Sequence, residues 1–203
     1  MIDLTPFLAT EHDTRGYLRA PWRCPEGVCA TNGHVLVCVR DDGGQHADAH
    51  KGMPEVVAKF RAYLDQPGLV WTEVAGIELL EVPACRACDG KGHNHFVECE
   101  DCDGDGTFDH GQHTYECKEC RGEGRVKTSE KSEGAKKESC WRCDGTGLGF
   151  GWERVAEVLI QTKYLQLLKA LPGCLIGTAG PLDTVAVRFD GGFGAVMPCR
   201  DRA

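Results

Sequence analysis

The chain has 203 residues, 13 cysteines and a formal net charge of −8. No apolar run approaches the roughly 18 residues that a membrane span requires, and residues 1–13 lack the basic start and apolar stretch of a secretory leader; the expectation is a cytoplasmic chain with no membrane partner. The acidic balance argues against indiscriminate nucleic-acid binding, which needs a surplus of Lys and Arg, and an odd number of cysteines in a reducing compartment points to metal rather than disulfides.

In chain order, the first signal is Asn32-Gly33 between short apolar runs, a hairpin turn. His34–Val39 follows as a buried strand. Over residues 53–64, Met53, Val56, Val57, Phe60 and Leu64 share one helical face, with Pro54 in the first turn. Gln66-Pro67-Gly68 stops that helix, and Leu69–Val74 and Ile77–Val82 read as strands.

Residues 84–148 are organised by a repeat. The pattern Cys-x-x-Cys-x-Gly-x-Gly occurs four times, beginning at Cys85, Cys99, Cys117 and Cys140. Two cysteines separated by two residues can grip one metal from a tight turn, and glycines at the following positions permit the backbone to turn its amides toward the thiolates. Two such knuckles complete a tetrahedral shell, so four make two sites: eight ligands, Cys85, Cys88, Cys99, Cys102, Cys117, Cys120, Cys140 and Cys143, for two structural Zn2+. The large apolar residues here are Phe96, Val97, Phe108, Tyr115, Val126, Trp141 and Leu148, too few to offset the entropy of ordering the segment. Structural zinc contributes on the order of 10–16 kcal/mol per site. The repeat leaves two pairings open, first knuckle with second and third with fourth, or outer with outer and inner with inner. His93, His95, His110 and His113 read as loop histidines, because eight thiols already fill both sites. The mixed-charge run Lys127–Glu138 reads as a hairpin tip or loop.

Past the repeats, Trp152–Ile160 reads as a strand. Thr162 is placed to cap a helix carrying Tyr164, Leu165, Leu167, Leu168 and Leu171, stopped by Pro172-Gly173. Leu175–Thr178, Thr184–Phe189 and Ala195–Met197 are short strands. Residues 1–83 and 149–203 must share one core, giving a discontinuous α+β domain into which 84–148 is inserted. Cys24, Cys29, Cys38, Cys174 and Cys199 lie in or beside apolar runs and read as buried small hydrophobes.

Two resemblances follow from these residues. The four-knuckle array, with all eight cysteines and eight glycines, resembles the cysteine-rich domain of DnaJ-type (Hsp40 family) chaperones. That resemblance implies the nested pairing, Cys85, Cys88, Cys140 and Cys143 on one zinc and Cys99, Cys102, Cys117 and Cys120 on the other, which also brings the ends of the insertion together. The His-Pro-Asp tripeptide of a J domain is absent. In the host, Asp13-Thr-Arg-Gly-Tyr-Leu18, Ala30-Thr-Asn-Gly-His-Val-Leu36 and the ending Phe189–Arg200 with its Val-Met-Pro-Cys-Arg run are similar to the bacterial DNA polymerase sliding clamp (β-clamp) family, with Asn32 and Val35 departing from its turn motif. This implies a β-rich clamp-like domain with two helices. A clamp ring takes six such domains from chains holding two or three each, whereas this chain supplies one, a departure that leaves a homo-oligomer open; the DNA-facing residues implied by the resemblance would be Lys59 and Arg61 on the first helix and Lys163 and Lys169 on the second.

No nucleophile elbow, phosphate loop or His-Glu-x-x-His helix is present, so no catalytic residues and no small-molecule substrate are expected. The leading expectation is a non-enzymatic, clamp-like module of replication or repair, such as a phage or mobile element encodes, binding a protein partner or DNA. The alternative is a chaperone-like protein or adaptor that uses the zinc hairpin to hold unfolded or partner polypeptides.

Overall fold

The computed structural model describes residues 2–40 and 43–200. It divides into two compact units: residues 1–83 with 150–203, and residues 84–149.

The first unit is built on β1 (Trp22–Cys24), β2 (Gly27–Thr31), β3 (Val35–Val39), β4 (Ala47–Asp48), α1 (Met53–Tyr63) and β5 (Val70–Glu73). The second contains β6 (His93–Glu98), β7 (Thr107–His110), β8 (His113–Glu116), β9 (Arg125–Thr128) and β10 (Lys136–Ser139). The first resumes with β11 (Trp152–Val155), β12 (Val158–Gln161), α2 (Thr162–Lys169), β13 (Leu175–Thr178), β14 (Val185–Phe189) and β15 (Gly192–Val196).

Eight strands of the first unit form one open sheet in the order β4-β1-β2-β3-β15-β14-β13-β5. All pairings are antiparallel except β1 with β4. Alternation along the central strands sends side chains to two buried faces. On one face Val28, Ala30, Val35, Val37, Val185 and Val187 pack beneath α2 and the β11–β12 hairpin, through Leu165, Leu168, Val158 and Ile160. On the other, Cys29, Leu36, Cys38, Ala186 and Phe193 pack with Val57 of α1 and with Met53 and Phe60. Because both faces are covered, β2 is buried throughout its length, the pattern of a strand inside a three-layer unit.

This architecture corrects the clamp-like expectation. The sheet is open, with β4 and β5 as unpaired edges, and it does not curl toward closure. Its two helices lie on opposite faces, not in a common layer that could line a tunnel. The segment holding Arg15, Tyr17 and Leu18 is not a strand of a clamp sheet; residues Gly16–Leu18 form a 3-10 turn. The fold class is α+β with two helices and several open sheets, without clamp character, and the replication-type clamp function drawn from that resemblance falls with it.

Several local expectations also change. Trp152–Ile160 is a hairpin, because Ala156 turns the chain at φ 52° between β11 and β12. Thr162 does not cap α2; Gln161 precedes the helix without a side-chain cap, and the Thr162 hydroxyl donates instead to Glu153 Oε1 at 3.4 Å. Residues 77–82 form no strand. Their backbone is tied down at Leu80, whose N–H donates to the same Glu153 oxygen at 2.7 Å, so a buried carboxylate stands where a ladder was expected.

The Asn32-Gly33 turn behaves as its chemistry requires. Asn32 Oδ1 accepts from the amides of His34 at 3.0 Å and Val35 at 3.1 Å, and Gly33 takes φ 87°. In the second unit, β10-β6-β9 form a three-stranded sheet and β7–β8 a two-stranded hairpin. The run 127–138 is therefore ordered by the ends of β9 and β10, with its turn between them. An antiparallel bridge between Ala84 and Leu148 closes the base of this unit.

Candidate metal centres

The four knuckles share one backbone path. The residue after each second cysteine, Asp89, Asp103, Arg121 or Asp144, lies in the left-handed region at φ 49–54°, and a glycine in that region follows it. Such a path is costly for an ordinary side chain. It swings the amide of the second glycine onto the second thiol of its own knuckle: Gly92, Gly106 and Gly124 each lie 3.2 Å from the sulfurs of Cys88, Cys102 and Cys120, and Gly147 lies 3.3 Å from Cys143.

Knuckles pair through a reciprocal exchange of backbone hydrogen bonds. Cys85 N–H donates to Gly147 O and Cys140 N–H to Gly92 O, both at 2.8 Å; Cys99 donates to Gly124 O at 2.9 Å and Cys117 to Gly106 O at 2.8 Å. The approach is so close that a Cβ on Gly124 would stand 2.1 Å from the Gly104 carbonyl oxygen. The second glycine of a repeat thus serves the neighbouring knuckle, a requirement that φ alone does not reveal.

The result is two buried clusters of four thiols, Cys85, Cys88, Cys140 and Cys143, and Cys99, Cys102, Cys117 and Cys120, with the sulfurs of each set within 4.8 Å of one another. The knuckles come together outer with outer and inner with inner. Across the paired knuckles the Sγ–Sγ distances are 4.0 and 3.7 Å in the outer cluster and 3.8 and 3.7 Å in the inner. A tetrahedron of Zn–S bonds of about 2.3 Å has edges of about 3.8 Å, so the cages fit a tetrahedral thiolate-bound cation. The separations are far beyond the roughly 2.05 Å of a disulfide.

Burial opposes ionisation of several of these thiols. Burial pushes Cys99 and Cys143 each up to about 12 and raises Cys102. At Cys120 burial also acts upward, but the Gly124 amide and the neighbouring thiols outweigh it and bring the group down to about 7. Four adjacent thiolates need a cation to coexist, which couples metal binding to proton release. His93, His95, His110 and His113 stand outside both clusters among the described residues; His93 and His95 pack edge to face at 5.3 Å.

A third cluster was not legible as such. Cys24, Cys29 and Cys38, from β1, β2 and β3, bring three buried sulfurs within 4.8 Å of one another. The only sequence signal is positional: two short hairpin turns separate the three residues, so antiparallel pairing puts them side by side.

The four basic residues proposed to face DNA are not brought together. Lys59 and Arg61 lie on α1, over one face of the sheet; Arg61 approaches Asp65 at 3.5 Å and its guanidinium lies 5.7 Å from the Phe193 ring. Lys163 and Lys169 lie on α2, over the other face; the Lys163 ammonium is 5.0 Å from the Tyr164 ring, and Lys169 donates to Ile77 O at 2.6 Å. Among the described residues no helix is long and apolar enough to cross a membrane.

An apolar cleft of about 180 Å³ opens on the first unit between Tyr17, His34, Val56, Phe60 and Met197. Val56, expected in the core, forms part of this wall at 37% exposure, because α1 is set on the sheet through Val57.

Knuckle spacing dictates local geometry in any chain that carries it, so the likeness to the DnaJ-type cysteine-rich domain is corrected to a likeness of metal-binding turns and not of family. No family model, curated protein or solved structure matches the chain.

Proposed function

We propose that this chain is a non-enzymatic, zinc-stabilised adaptor with chaperone-like capacity, binding extended segments of other polypeptides. Cys85, Cys88, Cys140 and Cys143 would hold one Zn2+ and Cys99, Cys102, Cys117 and Cys120 the other. With four thiolates each, the ions would be coordinatively closed and act as structural ties, not as Lewis acids.

The observation that carries the reading is the β7–β8 hairpin. All eight of its strand residues are exposed, its ladder has two strands and hence two unpaired edges, and Phe108 and Tyr115 face each other across it at 43% and 53% exposure. An isolated hairpin is marginal in water. This one runs directly between the second and third knuckles, so the inner cation would clamp its ends. A rigid open edge beside an aromatic pair suits strand addition by an extended polypeptide, with main-chain hydrogen bonds supplying affinity and the rings accepting apolar side chains. The apolar cleft of the first unit suits a second engagement, the insertion of one or two apolar side chains from a partner peptide.

The test is suppression of aggregation of a chemically unfolded client by the full zinc-loaded chain. Replacing both Phe108 and Tyr115 by Ala should abolish protection while leaving zinc content and the unfolding midpoint unchanged. Undiminished protection by that variant would remove the hairpin from the function.

A further inference from the structure

The trio Cys24, Cys29 and Cys38 lies outside the two four-cysteine cages and outside any role in binding polypeptides. Cys29 and Cys38 are directly opposed in the β2–β3 ladder. Cys24 ends β1, beside the two-residue Pro25-Glu26 turn that returns the chain to Gly27. Its sulfur sits 3.4 Å from that of Cys29, too far for a disulfide, and the three residues are 9%, 0% and 1% exposed. Three thiols in one interior pocket are poorer packing than three aliphatic groups, since each carries a polar S–H and Cys29 and Cys38 face other sulfurs.

Glu26 supplies a second, independent observation. Its side chain reaches the Cys24 thiol, yet its Oε2 is buried with no hydrogen-bond partner. An orphaned carboxylate oxygen costs a protein heavily unless a cation takes it. Glu26 and Cys38 also line a groove of about 350 Å³ shared with Arg40, Arg61 and Arg188. That groove offers a path for an ion, and its guanidinium groups offset the excess negative charge of three thiolates and a carboxylate around a divalent cation.

We propose that Cys24, Cys29 and Cys38, whose sulfurs lie within 4.8 Å of one another, form a third metal site for a single zinc-like d10 divalent cation, and that the neighbouring Glu26 carboxylate, which stands outside that set, turns in as the fourth ligand. Three soft donors and one hard donor suit a borderline ion in tetrahedral geometry. Because its fourth ligand lies on an open groove, this site exchanges its ion, whereas the two four-thiolate cages hold theirs. Zinc binding here releases the protons of the three thiols and of Glu26 where they are protonated; no redox change is involved.

The experiment uses the full chain, purified anaerobically, saturated with Zn2+ and freed of loose metal. Elemental analysis should give three ions per chain, and a moderate chelator should withdraw one of them well before the other two. In the 113Cd-substituted protein, a third resonance should appear upfield of two four-sulfur resonances. Glu26→Gln keeps every thiol and should weaken the exchangeable site at least tenfold; Cys38→Ala should abolish it and leave the other two ions in place. Saturation at two ions per chain, two cadmium resonances, or a native Cys24–Cys29 disulfide found by mass spectrometry would each overturn the proposal. None of those results would touch the hairpin reading, which rests on the other two ions.

Discussion

Gly124 offers a sharp test of how the knuckles are assembled. In Gly124→Ala the new methyl would lie 2.1 Å from the Gly104 oxygen and 3.0 Å from its carbonyl carbon, where carbon–oxygen contacts need about 3.3 Å. The two inner knuckles would have to separate by about 1 Å, which tetrahedral bonds of about 2.3 Å to Cys99, Cys102, Cys117 and Cys120 do not allow. Holding alanine at the observed φ of 71° costs about 1–2 kcal/mol. Loosening the 2.9 Å Cys99–Gly124 hydrogen bond costs about 1 kcal/mol more. Together these weaken inner-site zinc by roughly 3 kcal/mol, about 100-fold in dissociation constant. The control is Gly134→Ala: its φ is 73°, yet a Cβ there meets nothing within 4 Å, so it should lose about 1 kcal/mol of local stability and no zinc affinity. Competition against a metallochromic chelator measures both. Equal zinc affinity in the two variants would refute the claim that cross-knuckle approach, and not turn conformation, dictates the second glycine.

Further expectations follow from other contacts. Cys102→Ser should expose Cys99, Cys117 and Cys120 to alkylation while Cys88 and Cys143 stay protected, and Cys85→Ser should do the reverse; mass mapping of the labelled sites checks the nested arrangement. Glu153→Ala leaves the Leu80 amide and Thr162 hydroxyl without their acceptor and should cost about 1–3 kcal/mol, measured by urea unfolding, with faster amide exchange over residues 77–82; Glu153→Gln, which retains an acceptor oxygen, should lose less. The Arg15 side chain, bonded to Asp13 at 2.7 and 3.0 Å, holds the Asp13 carboxyl down at about 2. Since that carboxyl is depressed in the folded state, its contribution is complete above about pH 4 and is lost as pH falls through about 2. Asp13→Asn should therefore destabilise the first unit by less than about 1 kcal/mol near neutrality, and the difference in urea midpoint should close on acidification.

What the sequence revealed depended on whether the governing interaction was local. The knuckles were readable because two ligands and their two turn glycines sit within eight consecutive residues. Likewise β3, β14, α1 and α2 announced themselves through apolar runs or one-sided helical faces. The path of β6 did not, because His93–Glu98 buries little and is held by hydrogen bonding to β9 and β10. Residues 77–82 look like a strand by composition, but they are held by side chains distant in sequence, Glu153 on the Leu80 amide and Lys169 on the Ile77 carbonyl. The clamp likeness failed for a related reason. Its motifs sit on the Asn32-Gly33 turn and on β15, features that antiparallel sheets reuse freely, whereas helix placement is decided by which face each strand residue takes. Continuous burial along β2 hides that choice, since apolar residues on both sides leave no alternation to read. The third thiol cluster was invisible because its members meet only through strand register.

The nesting of the two cages has a consequence for assembly. The inner ligands close a loop of 18 residues between Cys99 and Cys117, the outer ligands one of 55 between Cys85 and Cys140. Loop-closure entropy makes the wider closure costlier by about 1 kcal/mol. Once the inner ion is seated, however, β6 and β9 can zip together and deliver the outer thiols to each other across a much shorter free span. Maturation would then run from tip to base, and the base, whose two chain ends are already adjacent, would be the last part to lock and the first to come undone.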